Sequence, residues 1–444
     1  MRSRSSHRSR GSRSAGRAHR SHGLPSSHGA PSSPKALLAA AIAVLAALAA
    51  PLDAQGAKLR ARELGIPIGG TPGALDAITD VAGVEVGHAT LIRGEGALVV
   101  GKGPVRTGVT VVLPRGRANP DPVFASWFTL NGNGEMTGTT WLKESGFLEG
   151  PVAITNTHSV GVVRDAIIGW ELAQKTVLQP WWLPVVAETF DGPLNDINGF
   201  HVKPEQVLAA LDGARGGRVV EGNVGGGTGM TCHQFKGGIG TASRMVTRAE
   251  GGYTVGVLVQ CNYGLRRDLR IAGVPVGEEI ADQRPCYRGT GTLPAPAFGP
   301  RCAAPTGAEP PPDEAEQGSI IVVVATDAPL LPHQLDRLVK RVAVGVGRQG
   351  GFGGNGSGDI FLAFSTANPK SWTSDSTATV RMLDNDRLSP LFRATAQATE
   401  GAITNALLAA ETMSGPNDFT VTALPVDRLR AVMAKYGRPL SAPR

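Results

Sequence analysis

Apolar and polar positions after the first 56 residues alternate in a way that predicts short strands mixed with helices. Glycine-bounded apolar runs predict strands, and apolar positions at helical spacing predict helices. The predicted strands fall within 78–91, 107–116, 181–192, 253–264, 319–326 and 358–366. The predicted helices cover 157–175, 203–214, 331–349 and 389–413. Because the order lacks a strict strand–helix–strand rhythm, it favours an α+β layered sandwich.

One segment interrupts this pattern. Residues 282–318 are rich in proline, glycine and acidic residues, which predicts an irregular insertion. It ends at Gly318-Ser319, and the apolar run "IIVVV" follows at once. A strand that opens on a small polar residue after a long irregular loop is the most informative local feature of the chain.

Charge changes the picture only at the N-terminus. The net charge is +7, but the first 50 residues hold eight basic residues and no acidic one, so the rest of the chain carries −1. The basic excess therefore belongs to the leader, and a nucleic-acid partner for the folded protein loses its main support.

The leader has the form of a secretory signal. A basic region precedes the apolar run 36–50, and small residues at 47–49 or 54–56 offer cleavage sites. The run is short for a transmembrane helix. We therefore expect residues 1–56 to be a leader and signal peptide, the mature protein to be periplasmic or secreted, and no membrane partner to remain. A misassigned start codon or an uncleaved anchor stays open.

The cysteines limit metal chemistry. Cys286 and Cys302 bracket a loop-like segment, and an exported protein could either join them or keep two free thiols. Neither they nor Cys232 and Cys261 have metal-ligand spacing, so no structural metal and no cofactor are expected.

Familiar motifs do not explain the chemistry. The glycine-rich stretches 222–230 and 350–359 lack the phosphate-loop pattern, and tight backbone packing is the better interpretation. Ser357 in "GNGSGDI" precedes a strand, whereas the nucleophile of an α/β-hydrolase follows one. The histidines that could act as bases lie in no diagnostic motif and are expected to be structural: His88, His158, His201, His233 and His333.

Gly318-Ser319 suits a different chemistry, in which a chain cut frees Ser319 as an N-terminal nucleophile. The freed α-amine has a pKa near 7.7–8.0 and can take the hydroxyl proton without a histidine. A preceding glycine leaves the scissile carbonyl accessible. Gly-Ser before a strand is common, however, so these residues alone leave an ordinary loop-to-strand junction open.

Longer motifs favour the cut. "NGNGEMTG", "AETFDGPLND", "GTGMTCHQFKGGIGTASR", "YTVGVLVQCNYG" and "GSIIVVVATDAPLLPHQLDRL" together resemble the DmpA-type L-aminopeptidase/D-esterase and β-peptidyl aminopeptidase family, from about residue 64 to about 436. The resemblance implies a four-layer α-β-β-α sandwich of the N-terminal-nucleophile type, also found in ornithine-acetyltransferase-like proteins. It also implies a precursor that cuts itself into an α chain (57–318) and a β chain (319–444). These would assemble as a homotetramer of αβ units without a cofactor.

The resemblance assigns roles to five residues. Ser319 matches the nucleophile, Asn262 the side-chain amide of the oxyanion hole, and Glu188 the carboxylate that binds the substrate ammonium. Ser357 and Asp359 match the polar pair that organises the nucleophile and its amine. The expected substrates are peptides, amino-acid amides or esters.

Two positions depart from the family pattern. Asp359 stands where glutamate is expected, so its shorter arm would reach through a water. Phe190 stands where a relative can carry tyrosine, which removes a hydroxyl donor. Glu135 and Glu144 are weaker pocket candidates. An acyltransferase of similar fold and an inactive binding homologue remain as alternatives to the aminopeptidase.

Overall fold

A computed structural model describes most of the chain beyond the leader. The described residues are 58–174, 179–288, 298–302, 317–372 and 377–441. The predicted leader and signal peptide, 1–56, lie outside them, and so does most of the predicted insertion.

The strands and helices follow in chain order. The strands are β1 (Glu85–Arg93), β2 (Val105–Leu113), β3 (Val123–Thr129), β4 (Phe147–Leu148), β5 (Val152–Asn156), β6 (Val185–Thr189), β7 (Thr231–Cys232), β8 (Phe235–Lys236), β9 (Gly238–Met245), β10 (Thr254–Asn262), β11 (Cys286–Tyr287), β12 (Gln317–Thr326), β13 (Gly356–Ser365), β14 (Met413–Ser414) and β15 (Phe419–Val421). The helices are α1 (Thr139–Ser145), α2 (Val160–Leu172), α3 (Pro204–Asp212), α4 (Val276–Glu279), α5 (Pro332–Val339), α6 (Val342–Arg348), α7 (Ser389–Ala409) and α8 (Val426–Lys435).

Two large sheets form the centre of the fold. One has four strands in the order β1-β2-β5-β6, and the other has six in the order β4-β3-β13-β12-β10-β9. Within the six-stranded sheet, β12 pairs parallel with β13 and antiparallel with β10. Small sheets, β11-β15-β14 and β7-β8, lie outside these two.

The apolar side chains show that the two sheets pack face to face between helices. Ile321 and Val323 of β12 share one core with Val112 and Ile154 of the four-stranded sheet. The alternate residues of β12, among them Val322, point into a second core with helices α5, α6, α7 and α8. A third core lies between the four-stranded sheet and helices α2 and α3. These layers confirm the predicted α-β-β-α sandwich.

Burial explains the apolar runs in the sequence. All nine residues of β10 are buried, because β10 has a core on each face and a strand neighbour on each side. Such a strand has no solvent side, so it lacks the alternation of a half-exposed strand.

Several predicted boundaries were wrong, and three of them bear on the packing or on the site. The predicted helix 331–349 is two helices, because bonds between residues three apart (Arg341 N to Leu338 O, 2.9 Å; Val344 N to Arg341 O, 3.1 Å) tighten the chain between α5 and α6. Helix α7 ends at Ala409, where the next residue is extended. Strand β12 begins at Gln317, so Gly318 and Ser319 lie inside the strand ladder.

The cysteines form two disulfides. Cys286 and Cys302 are joined, with their Cα atoms 5.0 Å apart, which settles the alternative that the sequence left open. The pair Cys232–Cys261, which the sequence did not predict, joins β7 to β10. The described part of the insertion is therefore less irregular than predicted, since β11 pairs with β15.

Within the described ranges, no helix combines the length and the apolarity that crossing a membrane requires.

Candidate active site

Three adjacent strands bring the predicted site residues together at one end of the six-stranded sheet. Ser319 of β12 lies opposite Asn262, the last residue of β10. On its other side Ser319 lies opposite Gly358 of β13, so Ser357 and Asp359 flank that position. Neighbouring strands are about 4.8 Å apart, and residues far apart in sequence therefore share one small area.

Gly318 is the position where only glycine fits. Its φ of +147° is one that side-chain-bearing residues rarely adopt, and a Cβ there would lie 2.1 Å from the Asn262 carbonyl oxygen. The backbones of β10 and β12 thus approach each other more closely than a side chain would allow. The residue before Ser319 is fixed as glycine by sterics.

Ser319 is buried and its hydroxyl points back along the chain. The residue is 3% exposed, and Ser319 Oγ donates to the Gly318 carbonyl oxygen over 2.5 Å. The hydroxyl therefore lies next to the peptide group that the predicted cut would break, and its donor is not directed at a histidine.

Asn262 is held at both ends of its amide. Its Oδ1 accepts from the Thr231 backbone N–H (2.7 Å), and its Nδ2 donates to the Phe190 carbonyl oxygen (3.0 Å). An amide nitrogen carries two N–H donors, so one can hold Phe190 while the other serves a substrate oxygen.

The segment that presents Thr231 to Asn262 is itself fixed. Lys236 is fully buried, and its Nζ donates to the carbonyl oxygens of Met230 (2.9 Å) and Gly237 (2.8 Å). Burial holds the pKa of Lys236 well below its usual value. The glycine-rich stretch 222–230 is thus packed backbone beside the site, as the sequence predicts.

Ser357 and Asp359 form a direct pair. Ser357 Oγ donates to Asp359 Oδ1 over 2.7 Å, so the shorter aspartate arm reaches its partner without a water. Burial raises the pKa of Asp359, while hydrogen bonds from Ser357, the Ile320 backbone and Asn131 oppose the shift. A hydroxyl has one donor, so the Ser357 hydroxyl proton is directed to Asp359 and not to Ser319.

Glu188 reaches the site from the four-stranded sheet. It lies in β6 and is 3% exposed. Its Oε1 accepts from the Glu135 backbone N–H (2.9 Å), and its Oε2 accepts from the Thr157 hydroxyl. Burial raises the pKa of Glu188; the two hydrogen bonds and the nearby His158 act in the opposite direction.

A loop from which only Glu135 was expected to line the pocket joins the two halves. In the segment 131–135, Asn131 Oδ1 accepts from the Asp359 backbone N–H (2.6 Å). A Cβ on Gly134 would lie 3.2 Å from Gly358 Cα and 3.4 Å from Glu188 Oε1. The loop is therefore wedged between the nucleophile strand and the carboxylate. The quoted motif "NGNGEMTG" contained this signal, but nothing in it specified the contacts.

Aromatic side chains border the carboxylate and the amide. The rings of Phe190 and Phe298 are 6.2 Å apart, and His158 stacks on Phe200 at 5.9 Å. Phe190 and Phe298 are each about 40% exposed. Glu135 and Glu144, the weaker candidates, are exposed, so neither is a buried charge of the pocket.

Three of the other candidate histidines are enclosed by the fold, whereas His333 is exposed. His88 and His233 are buried, and burial lowers the pKa of each to about 4. His201 pairs with Asp196 at 2.7 Å. Across the described part of the chain, no group of three or more His, Cys, Asp or Glu side chains is arranged to hold a metal ion.

Comparisons with known proteins agree with this geometry. Residues 76–421 match the model of Peptidase family S58. The chain is 57% identical over 397 residues to the β-peptidyl aminopeptidase BapA of Sphingosinicella microcystinivorans, covering 89% of this chain and 96% of that protein. It is 48% identical over 406 residues to the BapA of Sphingosinicella xenopeptidilytica, covering 90% and 96%.

Solved structures give the same result. A β-aminopeptidase from Burkholderia sp. superposes with a TM-score of 0.73 at 47% identity, covering 85% of this chain and 99% of that one. The L-aminopeptidase D-Ala-esterase/amidase of Ochrobactrum anthropi, described as a variant of the Ntn-hydrolase fold, superposes with a TM-score of 0.74 at 45% identity, covering 85% and 99%.

Proposed function

This chain belongs to peptidase family S58, and from that premise we propose that it cuts itself before Ser319 and then hydrolyses N-terminal residues from peptides, amides or esters. Aminopeptidase activity follows from the family and its relatives. The residue roles and the self-cleavage are our proposal.

One observation carries the proposal. Ser319 Oγ lies 2.5 Å from the carbonyl oxygen of the preceding residue, inside a strand pair that admits only glycine at that residue. The Ser319 hydroxyl therefore lies against the peptide group that precedes it. The Gly318 backbone also has a conformation that is high in energy for other residues, and both features favour attack of Oγ on the Gly318 carbonyl carbon.

The self-cleavage step balances without a further reagent. Ser319 Oγ bonds to the Gly318 carbonyl carbon, the C–N bond breaks, and the hydroxyl proton passes to the Ser319 nitrogen. Water then hydrolyses the resulting ester, leaving a Gly318 carboxylate and a free Ser319 with both hydroxyl and α-amine.

The freed residue supplies the nucleophile and the base for turnover. The α-amine, with an ordinary pKa near 8, takes the hydroxyl proton as Oγ attacks the substrate carbonyl. The second N–H of Asn262 donates to the oxyanion that forms. The leaving amine takes the proton, and water releases the acyl group from Ser319.

The neighbouring residues bind and position. Glu188 accepts a charge-assisted hydrogen bond from the substrate ammonium. The Ser357–Asp359 pair, opposite Gly318 and Ile320 in the strand ladder, places a carboxylate beside the newly formed N-terminus. The aromatic border of Phe190 and Phe298 suits an apolar substrate side chain.

The names of the relatives extend the substrate class. Both Sphingosinicella proteins are β-peptidyl aminopeptidases, and we propose that this enzyme likewise accepts N-terminal β-residues. A β-residue places its ammonium one carbon farther from the carbonyl. Glu188 and Ser319 lie on different sheets, and this separation leaves room for the longer distance between the ammonium and the carbonyl of a β-residue.

Export and assembly complete the proposal. The basic leader with its apolar run supports export to the periplasm or beyond, and the resemblance supports a homotetramer of αβ units. Neither feature enters the catalytic argument.

Denaturing electrophoresis with N-terminal sequencing tests the proposal. The segment from Ser319 to Arg444 is 126 of 444 residues, so scaling the chain mass of 46.0 kDa gives a β chain of about 13 kDa. We expect this band to begin with Ser-Ile-Ile, and we expect Ser319→Ala to remain one chain. An active enzyme that runs as one band would contradict the proposal.

A further inference from the structure

A second cavity lies at the opposite end of the four-stranded sheet from Glu188. Its volume is about 380 Å³, and it is lined by the segment 113–121, the turn 148–151 and the last turn of α2. Strand β5 starts beside this cavity, and its fourth residue, Thr155, pairs with Glu188. From the lining residue Pro151 to Thr155 there are four steps of about 3.3 Å, so the two places are roughly 13 Å apart along the chain, and the cavity is separate from the catalytic site.

One carboxylate in the cavity has no counter-ion among the described residues. Glu171 lines the cavity and is 6% exposed, yet its carboxylate has no hydrogen bond or ion pair with any residue that the structure describes. It also lies in the last turn of α2, where the helix dipole disfavours negative charge. Burial, followed by the charge of Glu149, raises the pKa of Glu171 to about 7.

Among the residues that the structure describes, the two arginines that line the cavity have other partners, and one of them, Arg115, pairs with Asp121. Arg115 donates to the carbonyl oxygens of Thr366 (2.8 Å) and Ala367 (3.3 Å). Arg117 donates to Asp212 on the surface. Neither balances Glu171, and a buried carboxylate without a partner is costly.

The lining also includes polar side chains, namely Arg115, Arg117, Asn119, Asp121 and Gln174, and the rest of it is apolar. Leu113, Pro114, Leu148 and Pro151 are buried lining residues, and the indole of Trp170 lies half-buried on the rim. A ligand that fits must therefore bring one cation to Glu171 and an apolar body to these apolar residues. An aromatic ring at the rim adds attraction for a cation.

We propose that this cavity is a second ligand site, which binds a primary ammonium group carried on an apolar body, with Glu171 as its counter-ion. Three sources share that chemistry: a free amine, an apolar amino acid and the N-terminus of a peptide. The last two are the product and the substrate of an aminopeptidase, so the site gives the enzyme a place to sense either one away from Ser319.

Calorimetry on the processed enzyme tests the site. Glu188→Gln is used as the background, so that the catalytic ammonium pocket does not contribute. We expect phenethylamine to bind with one equivalent per αβ unit, and 3-phenylpropionate, which lacks the ammonium, not to bind. Adding Glu171→Gln should weaken phenethylamine about 10-fold or more, the range expected for a lost charge-assisted hydrogen bond.

Glu149→Gln is the matched control, because Glu149 is a neighbouring carboxylate that is already bonded to Trp141 and Gln179. It should change phenethylamine binding far less than Glu171→Gln does, because the counter-ion itself is kept. L-Phenylalanine and a dipeptide whose peptide bond is reduced to CH₂–NH identify the source, since the preferred ligand of the three should bind most tightly.

Two further results would overturn the proposal: unchanged phenethylamine affinity in Glu171→Gln, or equal binding of 3-phenylpropionate. Ala173→Trp provides a second variant if Glu171→Gln fails to fold, because Ala173 is an exposed rim residue and a tryptophan there would fill the cavity. Binding that survives Ala173→Trp contradicts the site. A changed particle mass in that variant would instead show that a second copy of the chain occupies the cavity.

Discussion

At the scale of single residues, the site depends on charges that the fold removes from water. Glu188 is nearly inaccessible, and its two hydrogen bonds offset only part of the cost of burial, because its pKa remains raised. On the proposed role of Glu188, a substrate ammonium supplies the missing balance. We then expect an N-acetylated substrate, which has no cation, to gain nothing from this pocket.

Replacing Glu188 by glutamine should therefore separate binding from self-cleavage. Glu188→Gln removes the charge but keeps the acceptor oxygen, so we expect normal processing and a loss of kcat/KM on an amino-acyl p-nitroanilide of 100-fold or more, roughly the 3 kcal/mol of a broken buried charge pair. Steady-state kinetics with gel analysis of the same sample measures both properties.

The pH profile provides the control. The raised pKa of Glu188 means that the wild-type carboxylate becomes protonated as pH falls, before an ordinary glutamate would, and KM should rise on this acid limb. In Glu188→Gln the rise should disappear. Equal cleavage of free and N-acetylated substrates by the wild-type enzyme would contradict the role of Glu188.

Asn262 should act on the transition state more than on substrate binding. Its amide is fixed by Thr231 and Phe190, so the donor needs no reorganisation as the oxyanion forms. Asn262→Ala should lower kcat by roughly 100-fold or more with little change in KM. The variant must first be shown to be processed. A processed variant with wild-type kcat would assign the oxyanion hole to backbone N–H groups alone.

The site residues were predictable to the extent that each lies in its own sequence motif. Ser319, Asn262, Glu188, Ser357 and Asp359 were all named from motifs, and the structure brings them together, although their roles remain predictions. Asn131 and Thr157 were missed because their contacts depend on how a loop and a helix start fold against Glu188 and Asp359. No local pattern encodes a contact between segments so far apart.

At the scale of elements, β12 is the strand on which the chemistry depends. It continues through Gly318 to Gln317, pairing with Gly356 and Ser357 of β13. The bond of the proposed cut is thus held in a regular ladder, while the positive φ of Gly318 and its close approach to Asn262 confine the backbone there. The strand itself aligns Ser319 with the peptide bond that we propose it attacks.

Gly318→Ala should disturb the alignment of the Ser319 hydroxyl with the preceding peptide bond. A Cβ would overlap the Asn262 carbonyl, so the end of β12 must shift away from β10, and we expect self-cleavage to slow by at least about 10-fold through lost geometry. The time course of band conversion after expression measures it. Gly347→Ala is the matched control, since nothing lies within 4 Å of a Cβ there. Wild-type cleavage in Gly318→Ala would show that the close approach does not matter.

Elements were predictable where one physical rule decides them. The long apolar runs predicted β10 and β12 correctly, because a strand that is buried on both faces carries apolar residues at successive positions. The break between α5 and α6 was not predictable, because the apolar spacing from 331 to 349 continues across it. The Cys232–Cys261 link was missed as well, since β7 and β10 become neighbours only in the folded sheet arrangement.

At the scale of the whole molecule, the proposed cut divides the sequence but not the sandwich. The six-stranded sheet takes β4, β3, β10 and β9 from the α chain and β13 and β12 from the β chain. The two β-chain strands lie in the middle of the order. Their side chains fill the cores on both faces of the sheet, so separating the chains would expose both cores.

We therefore expect the α and β chains to remain together and unfold together after processing. The register of β12 with β10, from Val255–Thr326 to Asn262–Ser319, and its register with β13, from Ser319–Gly358 to Thr326–Ser365, use only β12 residues that follow the proposed cut, so both should persist. Processed enzyme should elute as one particle containing both chains. It should melt in one calorimetric transition, within a few degrees of uncut Ser319→Ala, because the buried apolar surface is the same.

Size-exclusion chromatography with electrophoresis of the peak, and scanning calorimetry, provide the measurements. Free β chain in native buffer, or an early transition confined to β-chain residues, would mean that the cut divides the sheet into independent units.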